Sequence, residues 1–414
     1  MSIKSKVGFL IHNFKNKIIS MRNKRDYSIV LFGAWFGDRF ADNSRYLYQY
    51  LSDHKKELGL SHVIWVTRND EICSELCDMG YESYLIDSER SLYYHKKAGW
   101  HIVCNSPVKN GSYEGDILGE YSFGANKINL WHGVMPMKKV GLATDKYKET
   151  YGRHPVLFSI KHRLMANALF REIYLLPGGW GDCFYLSCTP SGTEIMSKYF
   201  RLPHSHFIET GLPRLNMEPV LTPSENEIIQ IIKQYDRIVL YLPTFRNATS
   251  TFNASAVATE LESFLKKENI LLIQKMHSAD LNNRNSILSN DIVNILSLNS
   301  NFDVNVLMSK ISILITDYSS VAADAMYYKK PIIYYIPDYD EYISKDSGFV
   351  LNPNSVMCGI KAHDLIELKQ AIITALSREF VPDDFYLSTR EKYCGMEKSP
   401  DDIWNDLVNR FHRR

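Results

Sequence analysis

From residue 27 onward the chain alternates short runs rich in β-branched and aromatic residues with stretches of helical spacing, and it does so in two successive blocks. Strands that alternate with helices imply crossover connections and a parallel sheet covered on both faces, so this rhythm admits an α/β fold and little else. In the first block, 28–35, 62–67, 82–86, 100–105 and 127–131 read as strands, with helices at 43–58 and 88–98 between them. The rhythm restarts after Gly211, where 237–242, 270–275, 292–297, 311–316 and 331–336 read as strands separated by helical segments at 254–268, 303–309 and 319–328. A chain of 414 residues, 45% of them hydrophobic and 12% aromatic, holds enough apolar material for two separate cores. The turn-rich segment from Thr210 to Arg214, followed by Pro219 and Pro223, suits a hinge between them. The expected organisation is therefore a leader at 1–26, a first domain at 27–205, a second at 206–385 and a helical segment at 386–414. In that last segment Ile403, Trp404, Leu407, Val408 and Phe411 share one helix face and are expected to pack back across the domains.

The charges, 48 Lys and Arg against 47 Asp and Glu, nearly cancel, so the chain has no overall field to attract nucleic acid, and no nucleic-acid partner is expected. The 7 cysteines are scattered, mostly within apolar runs such as Ile102-Val103-Cys104, which points to reduced thiols in a cytoplasmic compartment. Cys73 and Cys77 lie four apart without metal-ligand partners nearby and read as one helix face rather than a zinc site. No apolar run approaches the ~18 residues that span a bilayer. Basic charge is concentrated locally instead. Lys4, Lys6, Lys15, Lys17, Arg22, Lys24 and Arg25 precede the first acid, Asp26, and interleave with Phe9, Leu10, Phe14 and Ile18. Such a segment is suited to lie on an anionic leaflet, each cation near the surface contributing on the order of 1 kcal/mol. A second basic amphipathic stretch runs over 154–172. The expectation is a protein peripheral to the cytoplasmic face of the cell membrane.

Ligands of open α/β sheets sit at the carboxyl ends of the strands, so polar residues just beyond an apolar run carry the functional signal. The strand at 311–316 leads through Asp317-Tyr318-Ser319-Ser320 into a helix, a geometry in which free N–H groups and two hydroxyls can hold a diphosphate. Lys275 and His277 leave one strand end two residues apart, and Arg246 follows the neighbouring strand, so three cationic groups could neutralise a pyrophosphate without a metal. His132, followed by Gly133, ends what reads as the last strand of the first domain and could accept a proton from an attacking hydroxyl. Asp38, Asp42 and Asn43 would share its surroundings, orienting His132 or binding acceptor hydroxyls. No metal ligands are assigned: no Asp-x-Asp follows a strand, and the pair Asp338 and Asp340, read as a loop near the donor, is all that leaves Mg2+ open. Dinucleotide chemistry is excluded, because Gly33-Ala-Trp-Phe-Gly37 lacks the Gly-x-Gly-x-x-Gly spacing.

Six motifs in order, Asp42-Asn43-Ser44-Arg45-Tyr46-Leu47, Trp131-His132-Gly133, Gly211-Leu212-Pro213-Arg214, 241–246, Lys275-Met276-His277 and 315–320, make the chain resemble the CDP-glycerol glycerophosphotransferase family. This family comprises teichoic-acid primases and polymerases and related capsule polymerases. The resemblance implies a GT-B-like architecture, with two Rossmann-type domains facing a central cleft, the first binding acceptor and the second the CDP-activated donor. It implies transfer of a polyol phosphate, glycerol phosphate foremost, from CDP-glycerol or CDP-ribitol to a hydroxyl of a lipid-linked or polymeric teichoic or saccharide acceptor, with CMP released and no cofactor required. By the same resemblance His132 is the catalytic base, assisted by His277. Arg214, Arg246, Lys275, His277, Thr316, Asp317, Ser319 and Ser320 attend the donor, and Asp42, Asn43 and Lys138 the acceptor. The chain departs from the family pattern at Val134-Met135-Pro136, at Ser278 after His277, and at Ser347-Gly348, where the family carries Arg-Gly. Two other readings compete: a GT-B glycosyltransferase using a nucleotide sugar, which shares the architecture, and a catalytically silent binding scaffold, which would not need both histidines and Arg246.

Overall fold

The structure, a computed structural model, describes residues 24–106, 115–133, 183–200, 202–244, 252–276, 294–345, 349–395 and 397–412, with Met135, Met137 and a few single positions before 24 and at 152–160. The chain divides into two compact units, one of 1–132, 145–220 and 396–414, the other of 133–144 and 221–395.

In the first unit the elements run β1 (Asp26–Gly33), α1 (Asp42–Asp53), β2 (His62–Thr67), α2 (Asp70–Asp78), β3 (Ser83–Leu85), α3 (Glu89–Lys97), β4 (Ala98–Val103), β5 (Asn126–Asn129), β6 (Phe184–Ser187), α4 (Pro190–Phe200), β7 (Phe207–Glu209) and α5 (Pro213–Asn216). All strands pair in parallel in the order β3-β2-β1-β4-β5-β6-β7. Strands covered on both faces cannot alternate polar with apolar, and Val30, Leu31 and Phe32 of β1 are accordingly all fully buried. Helix starts are fixed locally: the Asn69 side chain accepts from the Glu71 and Ile72 amides at the head of α2, and Ser88 accepts from Ser91 at the head of α3.

The second unit contains α6 (Pro223–Ile232), β8 (Ile238–Leu242), α7 (Ala256–Glu268), β9 (Leu271–Gln274), β10 (Ile295–Ser297), α8 (Asn305–Met308), β11 (Ile313–Thr316), α9 (Val321–Tyr327), β12 (Ile332–Tyr335), α10 (Tyr339–Lys345), β13 (Ile360–Ala362), α11 (Leu365–Leu376) and α12 (Asp384–Cys394). Its sheet is also parallel, ordered β10-β9-β8-β11-β12-β13. Thr222 opens α6 with a reciprocal cap, accepting from the Glu225 amide while the Glu225 carboxylate accepts from its own. The last helix, α13 (Pro400–His412), returns to the first unit, where Trp404 and Phe411 pack their rings against Trp100 at 5.2 and 5.1 Å.

Three expectations about organisation need correction. The first unit extends to Val220, because β7 and α5 belong to its sheet and its α1 face rather than to the second domain. The segment 386–414 is not one piece: α12 completes the second unit and α13 the first. β5 is not the last strand of its sheet, since β6 and β7 continue it; at four and three residues they are too short for periodicity to register. The leader and most of 154–172 lie outside the described residues.

Candidate active site

Each sheet reverses its strand order once, between β1 and β4 in the first unit and between β8 and β11 in the second, and at such points the loops beyond adjacent strand ends diverge and leave a crevice. The polar groups singled out above collect near these two places.

In the first unit the chain beyond β1 makes a tight turn in which Trp35 and Phe36 take left-handed φ values of 48° and 60°. Asp42 at the start of α1 (φ 66°) and Trp131 beyond β5 (φ 55°) do the same. Each costs on the order of 1–3 kcal/mol for a residue with a β-carbon and persists only where surrounding contacts impose it. Those contacts are explicit. The Asp42 carboxylate holds the Arg214 guanidinium at 2.6 Å, both side chains almost wholly buried. The Asn43 carbonyl oxygen accepts from the Arg214 amide at 3.1 Å, and its amino group donates to the Trp131 carbonyl at 2.8 Å. Asn129 accepts from the Trp131 amide at 2.9 Å and donates to the Asn105 carbonyl at 3.0 Å.

His132 stands at the centre of this frame, half-buried, its ring 4.2 Å from Trp131 and 5.2 Å from Trp35. Its Nδ1 lies 3.1 Å from the Cys104 carbonyl oxygen. A carbonyl can only accept, so Nδ1 carries the proton and a neutral ring presents Nε2 as a bare lone pair. Desolvation lowers the His132 pKa below the ordinary histidine value; the Asp42 charge and the Cys104 carbonyl oppose that shift, and Arg214 adds to it. The imidazole is thus neutral near pH 7 and competent to take a proton.

In the second unit the Asp317 carboxylate, beyond β11, accepts from the Thr244 amide at 2.9 and 3.0 Å, joining the ends of β8 and β11 at the switch point. The Thr316 hydroxyl donates to the Leu242 carbonyl at 2.8 Å. Ser319 and Ser320 are half-buried at the mouth of α9, where the Ser319 hydroxyl accepts from the Val321 amide at 3.4 Å. Lys275 follows β9 and donates to the Phe302 carbonyl at 2.5 Å. Tyr318 stacks on Tyr342 at 3.9 Å and donates its hydroxyl to Asp338 at 3.0 Å.

Several assignments change with this geometry. Arg214, expected at the donor, belongs to the first unit and is buried against Asp42. Asp42 and Asn43, expected at the acceptor, spend their polar atoms on Arg214 and on the loop that carries His132. Thr316 and Asp317 tie strand ends together rather than face outward. Asp38 is exposed, and the run at Asp338 and Asp340 is no loop but the entry to α10. Arg246, His277 and Lys138 lie outside the described residues. Among the described residues no group of three or more His, Cys, Asp or Glu side chains could hold a metal ion, and no helix is long and apolar enough to cross a membrane. Asp116, beyond β4, has no motif spacing to mark it in the sequence, yet it is fully buried and its carboxylate accepts from the Phe36, Cys104 and Asn105 amides beside this frame.

Two parallel, Rossmann-type units in one chain, with a neutral imidazole at a strand end of the first and hydroxyls at a helix mouth of the second, define a GT-B-like α/β transferase. The family can be stated as well. Residues 16–400 match the CDP-Glycerol:Poly(glycerophosphate) glycerophosphotransferase family, and the chain belongs to it, among phosphotransferases rather than the nucleotide-sugar glycosyltransferases of similar architecture. It is similar to a teichoic acid poly(glycerol phosphate) polymerase of Bacillus spizizenii, 24% identical with 90% of each chain covered. A teichoic acid glycerol-phosphate transferase of Staphylococcus aureus is 22% identical, covering 96% of this chain and 95% of its own. Among solved structures, wall teichoic acid polymerase TagF superposes with a TM-score of 0.60 at 19% identity, over 96% of this chain and 94% of that one, a likeness of fold.

Proposed function

We propose that this chain transfers glycerol phosphate from CDP-glycerol to a terminal hydroxyl of a lipid-linked or polymeric teichoic-type acceptor at the cytoplasmic face of the membrane. The observation that carries the mechanism is the bare Nε2 of His132, left as a base because Nδ1 is committed to the Cys104 carbonyl. The acceptor oxygen attacks the phosphorus that bears glycerol, its proton passes to His132 Nε2, the bond to the CMP oxygen breaks, and CMP leaves. Ser319, Ser320 and Lys275, with Arg246 and His277 as the resemblance suggests, would offset the charge that develops on the departing nucleotide, so that the reaction does not call for a metal. Two relatives matched almost end to end are named for glycerol phosphate, which favours glycerol over ribitol as the donor's polyol. The basic amphipathic leader supports a peripheral site on an anionic surface.

The test is CMP release by purified protein offered CDP-glycerol, CDP-ribitol and a set of UDP- and GDP-sugars, with and without a glycerol-phosphate-primed lipid acceptor. Acceptor-dependent CMP release with CDP-glycerol supports the reading; turnover with a sugar nucleotide alone defeats it. His132→Ala should lower turnover by at least about 100-fold while donor binding persists, as loss of a general base requires; near-normal turnover removes its role.

A further inference from the structure

The base assigned to His132 needs something to hold its proton on Nδ1, and the structure shows what stands behind that contact. Asp116 is fully buried, and its carboxylate is ringed by backbone amides: Oδ1 accepts from Phe36 at 2.7 Å, and Oδ2 accepts from Cys104 at 3.2 Å and from Asn105 at 2.7 Å. The Asn105 amide and the Cys104 carbonyl are the two ends of one peptide group. One end donates to Asp116, and the other accepts the Nδ1 proton of His132 at 3.1 Å.

We propose that Asp116 is a positioning residue for the transfer reaction, acting through the Cys104–Asn105 peptide to fix the tautomer and the aim of His132. The physical reason is resonance. A negative charge on the N–H side of an amide draws electron density toward its oxygen, so the Cys104 carbonyl becomes a stronger acceptor and holds the Nδ1 proton more firmly. Polarised chains of this kind strengthen each bond by roughly 10–30%. The arrangement does the work of a carboxylate that orients a histidine directly, with one peptide plane in between. Two further features serve the same end. The same carboxylate pins the Phe36 amide, and with it the left-handed turn that sets the Trp35 ring beside His132. Gly33 admits the Asp116 backbone, since a β-carbon there would lie 2.0 Å from its carbonyl oxygen. Burial of a carboxylate is costly, and desolvation pushes Asp116 up to about 7 against the pull of its backbone donors.

This inference rests on His132 being the base, and the experiment separates the two. Full-length protein labelled with 15N-histidine reports the tautomer of His132, its signal identified among the 13 histidines by its loss in His132→Gln. In the wild type at pH 8, Nδ1 should be protonated and Nε2 bare. In Asp116→Asn the two tautomers should mix, because a carboxamide presents either a neutral oxygen or an N–H to the peptide. With CDP-glycerol and a glycerol-phosphate-primed acceptor, kcat should fall on the order of 10-fold or more, a part of what a general base supplies, and KM for CDP-glycerol should stay within about twofold. Unchanged His132 resonances in Asp116→Asn, or a rise in KM with kcat intact, would overturn the proposal. Should the variant fail to fold, the wild-type spectrum decides alone: a proton on Nε2 refutes it. Failure of the base reading shows elsewhere, as normal turnover by His132→Ala.

Discussion

Arg214→Ala should destabilise the first unit far more than a surface substitution would. Both partners of the Arg214–Asp42 pair are withdrawn from water, with side chains 2% and 8% exposed and a contact of 2.6 Å. Truncating the arginine leaves a buried carboxylate without its counter-charge, a loss of about 3–5 kcal/mol for pairs so enclosed. The amide of residue 214 still reaches Asn43, so the backbone tie survives while the charge does not. The double variant Asp42→Asn/Arg214→Met separates charge from packing: asparagine tolerates the left-handed φ of 66°, and methionine refills most of the volume. It should recover at least about 2 kcal/mol over Arg214→Ala, because an apolar replacement of a whole buried pair is often neutral. The five tryptophans among the described residues, at 35, 65, 100, 131 and 404, belong to the first unit, so urea unfolding followed by tryptophan fluorescence reads chiefly that unit. With a slope near 2–3 kcal/mol per molar urea, the midpoint of Arg214→Ala should drop by about 1–2 M. A shift below about 0.3 M, or a double variant no better than the single, would refute the reasoning.

Deleting 396–414 should cost the first unit most of its stability, since Ile403 and Leu407 are fully buried and Trp404 nearly so, each contributing about 1.5–3 kcal/mol; an unchanged fluorescence midpoint would show that α13 is dispensable. Gly33→Ala should lower the thermal midpoint and kcat together, because its β-carbon would meet the Asp116 carbonyl oxygen; a fully active, fully stable variant would contradict the close approach. His95 is buried, donates from Nδ1 to the Ser91 carbonyl, accepts the Leu118 amide on Nε2, and is lowered by burial to about 4. Its unfolded form binds a proton near 6.5, so this group leaves stability intact above that pH and removes about 3 kcal/mol as pH falls from 6.5 to 4. His95→Gln should therefore lose less stability than wild type over that interval in urea titrations at each pH, and parallel curves would rule the effect out.

The sequence by itself determined the α/β class, the two successive sheets and the polar residues that follow their strand ends. Those follow from local chemistry: buried parallel strands must be apolar runs, and a ligand at their ends must meet the next few residues. It also placed His132 beyond a strand and Ser319 and Ser320 at a helix mouth, and the structure has them there. What it could not assign were roles that depend on a partner far along the chain. Arg214 and Asp42 are 172 residues apart, yet they pair inside one unit, so motif residues that read as ligand contacts are ties within the fold. β6 and β7 are too short to carry a period, and only pairing within an existing sheet makes them strands. α13 joins the first unit although the chain has already built the second, because its apolar face matches Trp100 and Phe184 there. Asp116 has no spacing that marks it. Its role exists only because tertiary packing brings the ends of β1 and β4 together around one carboxylate, where backbone amides, silent in any sequence, become its partners.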